Sequence, residues 1–64
     1  MNHKEKIRKI IEKLTLTSRT ILSEKIFFEA CENGIGEQFT SEAMTALIEE
    51  DFIKEPLPGV IKKA

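Results

Sequence analysis

The sequence contains one cysteine and one histidine, and these low counts exclude several kinds of site. A single cysteine cannot form an internal disulfide, which is typical of proteins in a reducing, intracellular environment. Cys31 and His3 alone cannot supply the ligands of a metal site. We therefore predict no metal or other cofactor. We expect Cys31 to be a small buried apolar residue and His3 to be solvated.

Long apolar runs and catalytic motifs are also missing. No run approaches the roughly 18 residues that a membrane-spanning helix needs, and the N-terminus lacks the apolar core of a signal peptide. There is no Walker motif and no nucleophile elbow, and nothing places two of the eleven acidic residues in an apolar cleft. These absences predict a protein that is neither a membrane protein nor an enzyme.

What the chain does contain is typical of one small globular domain. It has 64 residues, of which 41% are hydrophobic and 33% are charged. A chain of this size buries only about 60% of the surface that it exposes when unfolded, so we expect marginal stability. Residues 1–22 carry a net charge of +4, residues 23–53 carry −7 and residues 54–64 carry +2. Two basic ends around an acidic middle restrict which surface could meet nucleic acid.

The N-terminal part has the apolar spacing of an amphipathic helix. Apolar residues recur at i, i+3, i+4 and i+7, namely Ile7, Ile10, Ile11 and Leu14. This period predicts a helix over about residues 3–14. The following residues 15–20 are rich in threonine and serine, which predicts a connector with a short extended piece that pairs with a later hairpin.

A second helix is predicted over about residues 23–33. Ser18 or Ser23 could cap it, and Ser23 is favoured because an apolar-periodic run follows it. Its apolar face consists of Ile26, Phe27, Ala30 and Cys31. Phe28 lies off this face, and we expect it to pack against another element. Gly34 fits the left-handed position just past the end of the helix.

A third helix is predicted over about residues 41–50. We expect Thr40 or Ser41 to cap it, and Phe39 to anchor the preceding turn in the core. Its inward face is predicted to consist of Ala43, Met44, Leu47 and Ile48. Asp51 is expected at the turn that follows, in a conformation that it tolerates less well than glycine does.

Two short β-prone runs at the end of the chain predict a hairpin over about residues 52–63. Pro58 and Gly59 fit the central positions of a type II turn. Because this turn type matches the twist of a hairpin poorly, we expect a loop of more than two residues. Pro56 lacks a backbone donor, so ladder pairing is expected to stop there.

Three helices followed by a hairpin predict an α+β, mostly helical fold, the winged helix-turn-helix, in a single domain over residues 1–64. No repeat or low-complexity segment interrupts it. The expected core members are Ile7, Ile10, Leu14, Ile26, Phe27, Ala30, Phe39, Met44, Leu47, Ile48, Phe52, Ile53, Val60 and Ile61.

The charges of the third helix argue against the usual way in which this fold reads DNA. The second helix of a helix-turn-helix enters the major groove with basic or amide side chains. The corresponding residues 40–50 include three acids and no base, so phosphates would repel them. Basic residues elsewhere could contact phosphates without sequence preference, namely Lys54, Lys62, Lys63 and Arg8. For the three lysines, an equally good interpretation is that they solubilise the edge of a small sheet. For Arg8 and the other bases of the first helix, a solvated helix face is the favoured interpretation.

The segment Leu47–Lys63 resembles the end of archaeal minichromosome maintenance (MCM) proteins, which are replicative helicases. Their C-terminal winged-helix domain closes with a helix, a turn, an isoleucine strand, the motif Glu-Pro-x-Pro-Gly and a basic tail. The motif stands here as Glu55–Gly59. The chain departs from the family at three positions, where Asp51 replaces a frequent glycine, Lys54 an aromatic residue and Leu57 a basic residue. The last departure weakens the case for tight DNA contact.

The resemblance implies an accessory, regulatory module of a DNA replication helicase, without catalytic activity of its own, whose parent protein would be an ATPase. The implied partners are the helicase core or replication-initiation proteins. DNA contact would be weak and non-specific at most, through the wing whose turn contains Pro56, Pro58 and Gly59. We expect the isolated domain to be monomeric, cytoplasmic and associated with the nucleoid of a prokaryote. The alternative is a small stand-alone winged-helix transcription regulator, which would normally dimerise to read a two-fold site.

Overall fold

The computed structural model describes residues 3–64, which form three helices and one three-stranded antiparallel sheet. The elements are, in chain order, α1 (His3–Thr15), β1 (Thr20–Leu22), α2 (Ser23–Glu32), α3 (Glu37–Glu49), β2 (Ile53–Leu57) and β3 (Val60–Lys63). Three helices followed by a hairpin that pairs with a short earlier strand are the architecture of a winged helix. The predicted fold class is confirmed.

The amphipathic helix α1 packs on both other helices. Its buried side chains are Ile7, Ile10 and Ile11. Ion pairs also join it to its neighbours, one between Lys4 and Glu50 and one between Lys13 and Glu29 at 3.7 Å. Exposed ion pairs each contribute about 1 kcal/mol or less, so burial of the isoleucines is what positions α1.

The central strand of the sheet is β3, with β1 on one side and β2 on the other. The short strand β1 is the extended piece predicted in the connector. Ile21 lies opposite Ile61, and both side chains are buried beneath the helices. Because side chains alternate along a strand, the neighbouring Thr20, Leu22 and Lys62 lie on the outer face of the sheet, where all three are exposed.

The hairpin loop consists of only Pro58 and Gly59, because Leu57 lies directly opposite Val60. The expectation of a wider loop is wrong. Gly59 has φ of +80°, as the second central position of a type II turn requires.

Pairing continues past Pro56, contrary to our prediction, because β2 contains a bulge. The register shifts between Lys54 and Leu57, which adds one residue to β2 relative to β3. Pro56 lies in this irregular stretch, where its missing N–H costs no ladder bond. A bulge also increases the local twist, which lets a two-residue turn close the hairpin.

The backbone of Gly59 joins the hairpin loop to α2. Its N–H donates to Oε2 of Glu55 at 2.9 Å, and its carbonyl accepts the backbone N–H of Ser23 at 2.9 Å. Ser23 is the first residue of α2, so the loop satisfies one of the N–H groups that a helix terminus leaves unpaired. The prediction that Ser23 caps the helix is wrong, since the N-cap residue is Leu22 and no side chain caps α2.

The third helix, α3, begins at Glu37, about one turn earlier than predicted, and neither Thr40 nor Ser41 caps it. Thr40 is buried inside the helix, where its hydroxyl donates to the carbonyl of Gly36 at 3.0 Å. The inward stripe starts there and continues at i+3, i+4 and i+7 with Ala43, Met44 and Leu47. Phe39 lies off this stripe and is 53% exposed, so the prediction that it anchors the core is wrong.

The core is rich in isoleucine and lies between the helices and the inner face of the sheet. Its buried members are Ile7, Ile10, Ile11, Ile21, Ile26, Ala30, Ile35, Ala43, Met44, Leu47, Ile53 and Ile61. Leu14, Phe27 and Phe52 pack against it and stay partly exposed. The predicted core lacks four of these residues, Ile11, Ile21, Ile35 and Ala43. Ile11 and Ala43 lie on the predicted apolar faces of their helices, whereas Ile21 and Ile35 lie in segments whose sequence predicts a connector or a turn.

Three further residues that were expected inside the protein are exposed, and the helical period explains them. The buried residues of α2 are Ile26 and Ala30. Phe28 and Cys31 therefore lie on other sides of α2, and both are exposed. Ile48 likewise lies outside the inward stripe of α3 and is exposed. Val60, another predicted core residue, is half-buried on the outer face of the sheet.

A Schellman motif ends α2, as Gly34 led us to expect. Gly34 has φ of +77°, and its N–H donates to the carbonyl of Cys31 at 3.0 Å. The N–H of Ile35 donates to the carbonyl of Ala30 at 2.9 Å. These two bonds satisfy carbonyls at the helix end and turn Ile35 into the core.

The same motif ends α3, but with an aspartate in the left-handed position. Asp51 has φ of +62°, and the N–H of Phe52 donates to the carbonyl of Leu47 at 2.9 Å.

We predict that Asp51→Gly raises the free energy of unfolding by about 0.5–1 kcal/mol, because glycine adopts this conformation without a steric penalty. Urea denaturation measures the change. The control Glu49→Gly, inside the helix, should lower the free energy by about 1 kcal/mol, and stabilisation by both variants would contradict the explanation.

A second pair of variants tests the hairpin turn. A Cβ atom on Gly59 would find space, since its nearest neighbour is Oγ of Ser23 at 3.9 Å, so Gly59→Ala tests the backbone conformation alone. We expect a loss of about 1–2 kcal/mol in the free energy of unfolding. Gly36 has φ of −68° and similar space, so Gly36→Ala carries no left-handed strain and should cost only about 0.5 kcal/mol, because alanine is a poorer N-cap residue of α3 than glycine. Equal effects of the two variants in urea denaturation would contradict the assigned turn.

Candidate functional site

The solvent-facing side of α3 is acidic and polar. Its exposed side chains include Glu37, Gln38, Ser41, Glu42, Thr45 and Glu49. Because α3 starts a turn earlier than predicted, it includes Gln38, and an amide side chain could read an adenine edge. However, Nε2 of Gln38 donates a long hydrogen bond of 3.4 Å to Oε2 of Glu42. Three carboxylates and no base remain on α3, so a phosphate-lined groove would repel this face.

The predicted phosphate-contacting lysines lie at the open end of the hairpin, away from its turn. Lys62 is opposite Lys54, and Lys63 is opposite Ile53. The turn itself, Pro58–Gly59, carries no charged side chain. Lys62 and Lys63 belong to the central strand, so the interpretation that they protect a sheet edge can apply only to Lys54, on β2.

Arg8 and Lys63 converge on one aromatic ring. The guanidinium carbon of Arg8 lies 4.9 Å from the ring centroid of Phe52, and Nζ of Lys63 lies 5.7 Å from the same centroid. Nη1 of Arg8 is also 3.8 Å from Oε1 of Glu5. These cation–π contacts fasten the end of β3 to α1 through a half-buried ring. Arg8 and Lys63 thus both contact Phe52 within the domain, whereas Lys54 and Lys62 lie on the outer face of the sheet.

The wing-turn residues have structural tasks. Pro56 lies in the bulge, Pro58 and Gly59 form the turn, and Glu55 accepts a hydrogen bond from the turn. The motif Glu-Pro-Leu-Pro-Gly is therefore accounted for by the backbone geometry of a tight wing.

An apolar row crosses the outer face of the sheet. Leu57 on β2, Val60 on β3 and Leu22 on β1 are cross-strand neighbours. Leu22 is 57% exposed and Leu57 is 63% exposed. Directly opposite residues share one face of a sheet, so these three side chains form a continuous strip.

The strip continues onto α2 through Phe28, which is 57% exposed. A hollow of about 430 Å³ is lined by Leu22, Glu24, Lys25 and Phe28. A second hollow, of about 470 Å³, is also lined by Phe28, together with Phe27, Cys31 and Ile35. We call Leu22, Phe28, Leu57 and Val60 the outer apolar surface. Sequence reasoning missed it, although the position of Phe28 off the predicted apolar face was one signal.

The described part of the chain forms neither a cluster of metal ligands nor a membrane-spanning helix. Within residues 3–64, no group of three or more histidine, cysteine, aspartate or glutamate side chains is arranged to hold a metal ion. No helix in the same residues is long and apolar enough to span a membrane. His3 is exposed as expected, and its ring lies 4.8 Å from that of Phe39.

Comparisons with protein-family models, with curated proteins and with solved structures found no match to this chain. Its function is therefore inferred from its own residues and their geometry.

The outer apolar surface can be tested by stability measurements. We predict that Leu57→Thr changes the free energy of unfolding by less than about 0.5 kcal/mol, because the side chain is exposed and threonine suits a strand. Leu22→Thr should be neutral or stabilising, because Leu22 is also exposed and is the N-cap of α2, where threonine is preferred over leucine. Ile61→Ala, on the inner face of the same sheet, should cost at least about 2 kcal/mol. Urea denaturation distinguishes the cases, and a loss of that size from either leucine variant would show that the leucines are packed.

Proposed function

We propose that this domain is an accessory winged-helix module of a DNA replication helicase, that it binds protein through the outer apolar surface, and that its contact with DNA is weak and non-specific. The observation that carries the proposal is the outer apolar surface itself. Single exposed apolar residues are ordinary, but a continuous strip of them marks an interaction site. Burial of such side chains against a partner is the main favourable term in protein association.

The acidic face of α3 supports the same proposal by disfavouring the alternative. A stand-alone regulator would present basic or amide side chains of this helix to base edges. Here Glu37, Glu42 and Glu49 point to solvent, and Gln38 contacts one of these carboxylates. Docking α3 into the major groove would bring these carboxylates towards the phosphates.

The helicase core is the partner that the resemblance of the Glu55–Gly59 segment favours. The charged residues around the outer apolar surface indicate which side chains a partner protein should present to it. Nζ of Lys25 lies 5.7 Å from the ring centroid of Phe28, and Lys54 lies on the same outer face as Leu57. A fitting partner surface would place apolar side chains beside carboxylates.

A binding experiment tests the partner. The full chain is titrated into an archaeal MCM hexamer that lacks its own C-terminal winged-helix domain, and the dissociation constant is measured by calorimetry. We expect saturable binding that the double variant Leu22→Thr/Leu57→Thr weakens at least about tenfold, because it truncates two central apolar contacts. Leu16→Thr is the matched control, since Leu16 is 84% exposed but lies in the connector outside this surface. Absence of binding, or equal weakening by both variants, would overturn the proposal.

A DNA titration distinguishes the alternative. Amide chemical shifts of the domain are followed as duplex DNA is added at about 0.15 M salt, and only small shifts are expected. Large shifts centred on α3, together with a dimer that binds one defined operator, would instead establish the stand-alone regulator.

A further inference from the structure

A second concave site lies at the other end of the sheet, between the connector and the end of β3. This hollow of about 340 Å³ is lined by Thr15, Ser18, Arg19, Thr20, Lys62 and Lys63. Three of these side chains are cationic and three carry hydroxyl groups. No acidic side chain among the described residues lines it.

The fold brings these cations together from distant parts of the sequence. Thr20 lies opposite Lys62, so the antiparallel register places Arg19 beside the end of β3, where Lys63 follows. Arg19, Lys62 and Lys63 are all exposed, as are Ser18 and Thr20. Thr15 differs, since its hydroxyl already donates to the carbonyl of Ile11 at 2.8 Å.

We propose that this hollow, with the cations Arg19 and Lys62 and the hydroxyls of Ser18 and Thr20, binds phosphate groups of a nucleic-acid backbone. Lys63 borders the hollow, but its Nζ lies over the Phe52 ring and is not counted among the phosphate contacts. Arginine and lysine are the side chains that contact phosphates most often, and hydroxyl groups add hydrogen bonds to the same oxygens. The site refines the DNA contact in the proposed function and rests on it for the choice of ligand. It moves that contact from the wing turn to the opposite end of the hairpin.

The shape of the basic region favours an extended polyanion over a single anion. Lys54 on β2 lies opposite Lys62 on β3, and Arg19 directly precedes β1 on the other side of β3, so the three cations extend across the width of the sheet. Neighbouring strands are about 4.8 Å apart, which gives this track a width of about 10 Å. A track of this width can contact two or three successive phosphates, and no base readout accompanies it.

The test measures binding of the full chain to a labelled duplex of arbitrary sequence by fluorescence anisotropy, over a series of salt concentrations. We expect weak binding at low salt, with an association constant whose logarithm falls against the logarithm of salt concentration with a slope of about −2 to −3. Arg19→Gln and Lys62→Gln should each weaken binding at least about fivefold. Each should also make the slope shallower by about 1 for every phosphate that the variant no longer neutralises. Lys9→Gln, which removes an exposed lysine of α1 outside the hollow, is the matched control and should have little effect.

Chemical-shift mapping locates the bound duplex on the domain. Shifts at residues 18–20 and 62–63 on addition of duplex support the site, whereas shifts centred on α3 or on the turn at residues 57–60 overturn it. Equal weakening by Lys9→Gln would also overturn it, because it would show only a general effect of charge. So would saturation of the hollow by inorganic phosphate without any binding of duplex. The variants share no residue with the leucine variants used for protein docking, so either proposal can fail while the other stands.

Discussion

Two hydrogen bonds of the Gly59 backbone hold the wing in place. The outer apolar surface and the basic hollow both include residues of the wing, so both depend on its position. The Gly59 carbonyl accepts the first N–H of α2, and the Gly59 N–H donates to the Glu55 carboxylate. The loop is thereby closed on itself and joined to the helix. This arrangement sets Leu57 and Val60 beside Leu22 on one face of the sheet.

The same interaction explains what the resemblance to the helicase domains rests on. Within the Glu55–Gly59 motif, the glutamate, the two prolines and the glycine each have a task in a bulged hairpin with a two-residue turn. The motif is therefore primarily evidence for a wing with this backbone geometry. A role beside a helicase remains a proposal, and it depends on the outer apolar surface, which the motif does not contain apart from Leu57.

The fold places acidic and basic side chains on different surfaces, so the proposed protein-binding and phosphate-binding surfaces are separate. Several bases of α1 are engaged inside the domain: Lys4 pairs with Glu50, Lys13 with Glu29, and Arg8 lies over Phe52. The acids of α3 face solvent. The basic hollow is built from the connector and β3 instead. Protein docking and phosphate binding can thus occur at different places on one small sheet.

The sequence by itself determined the helical segments, the hairpin and the left-handed positions Gly34, Asp51 and Gly59, because apolar period and turn chemistry are local properties. It also showed that the third helix is acidic. Tertiary structure decided the start of α3, where the buried Thr40 extends the inward stripe by a turn and leaves Phe39 outside. Only strand pairing could bring Leu22 to Val60, or Arg19 to the end of β3, since these neighbours are about forty residues apart in the chain and no local pattern relates them.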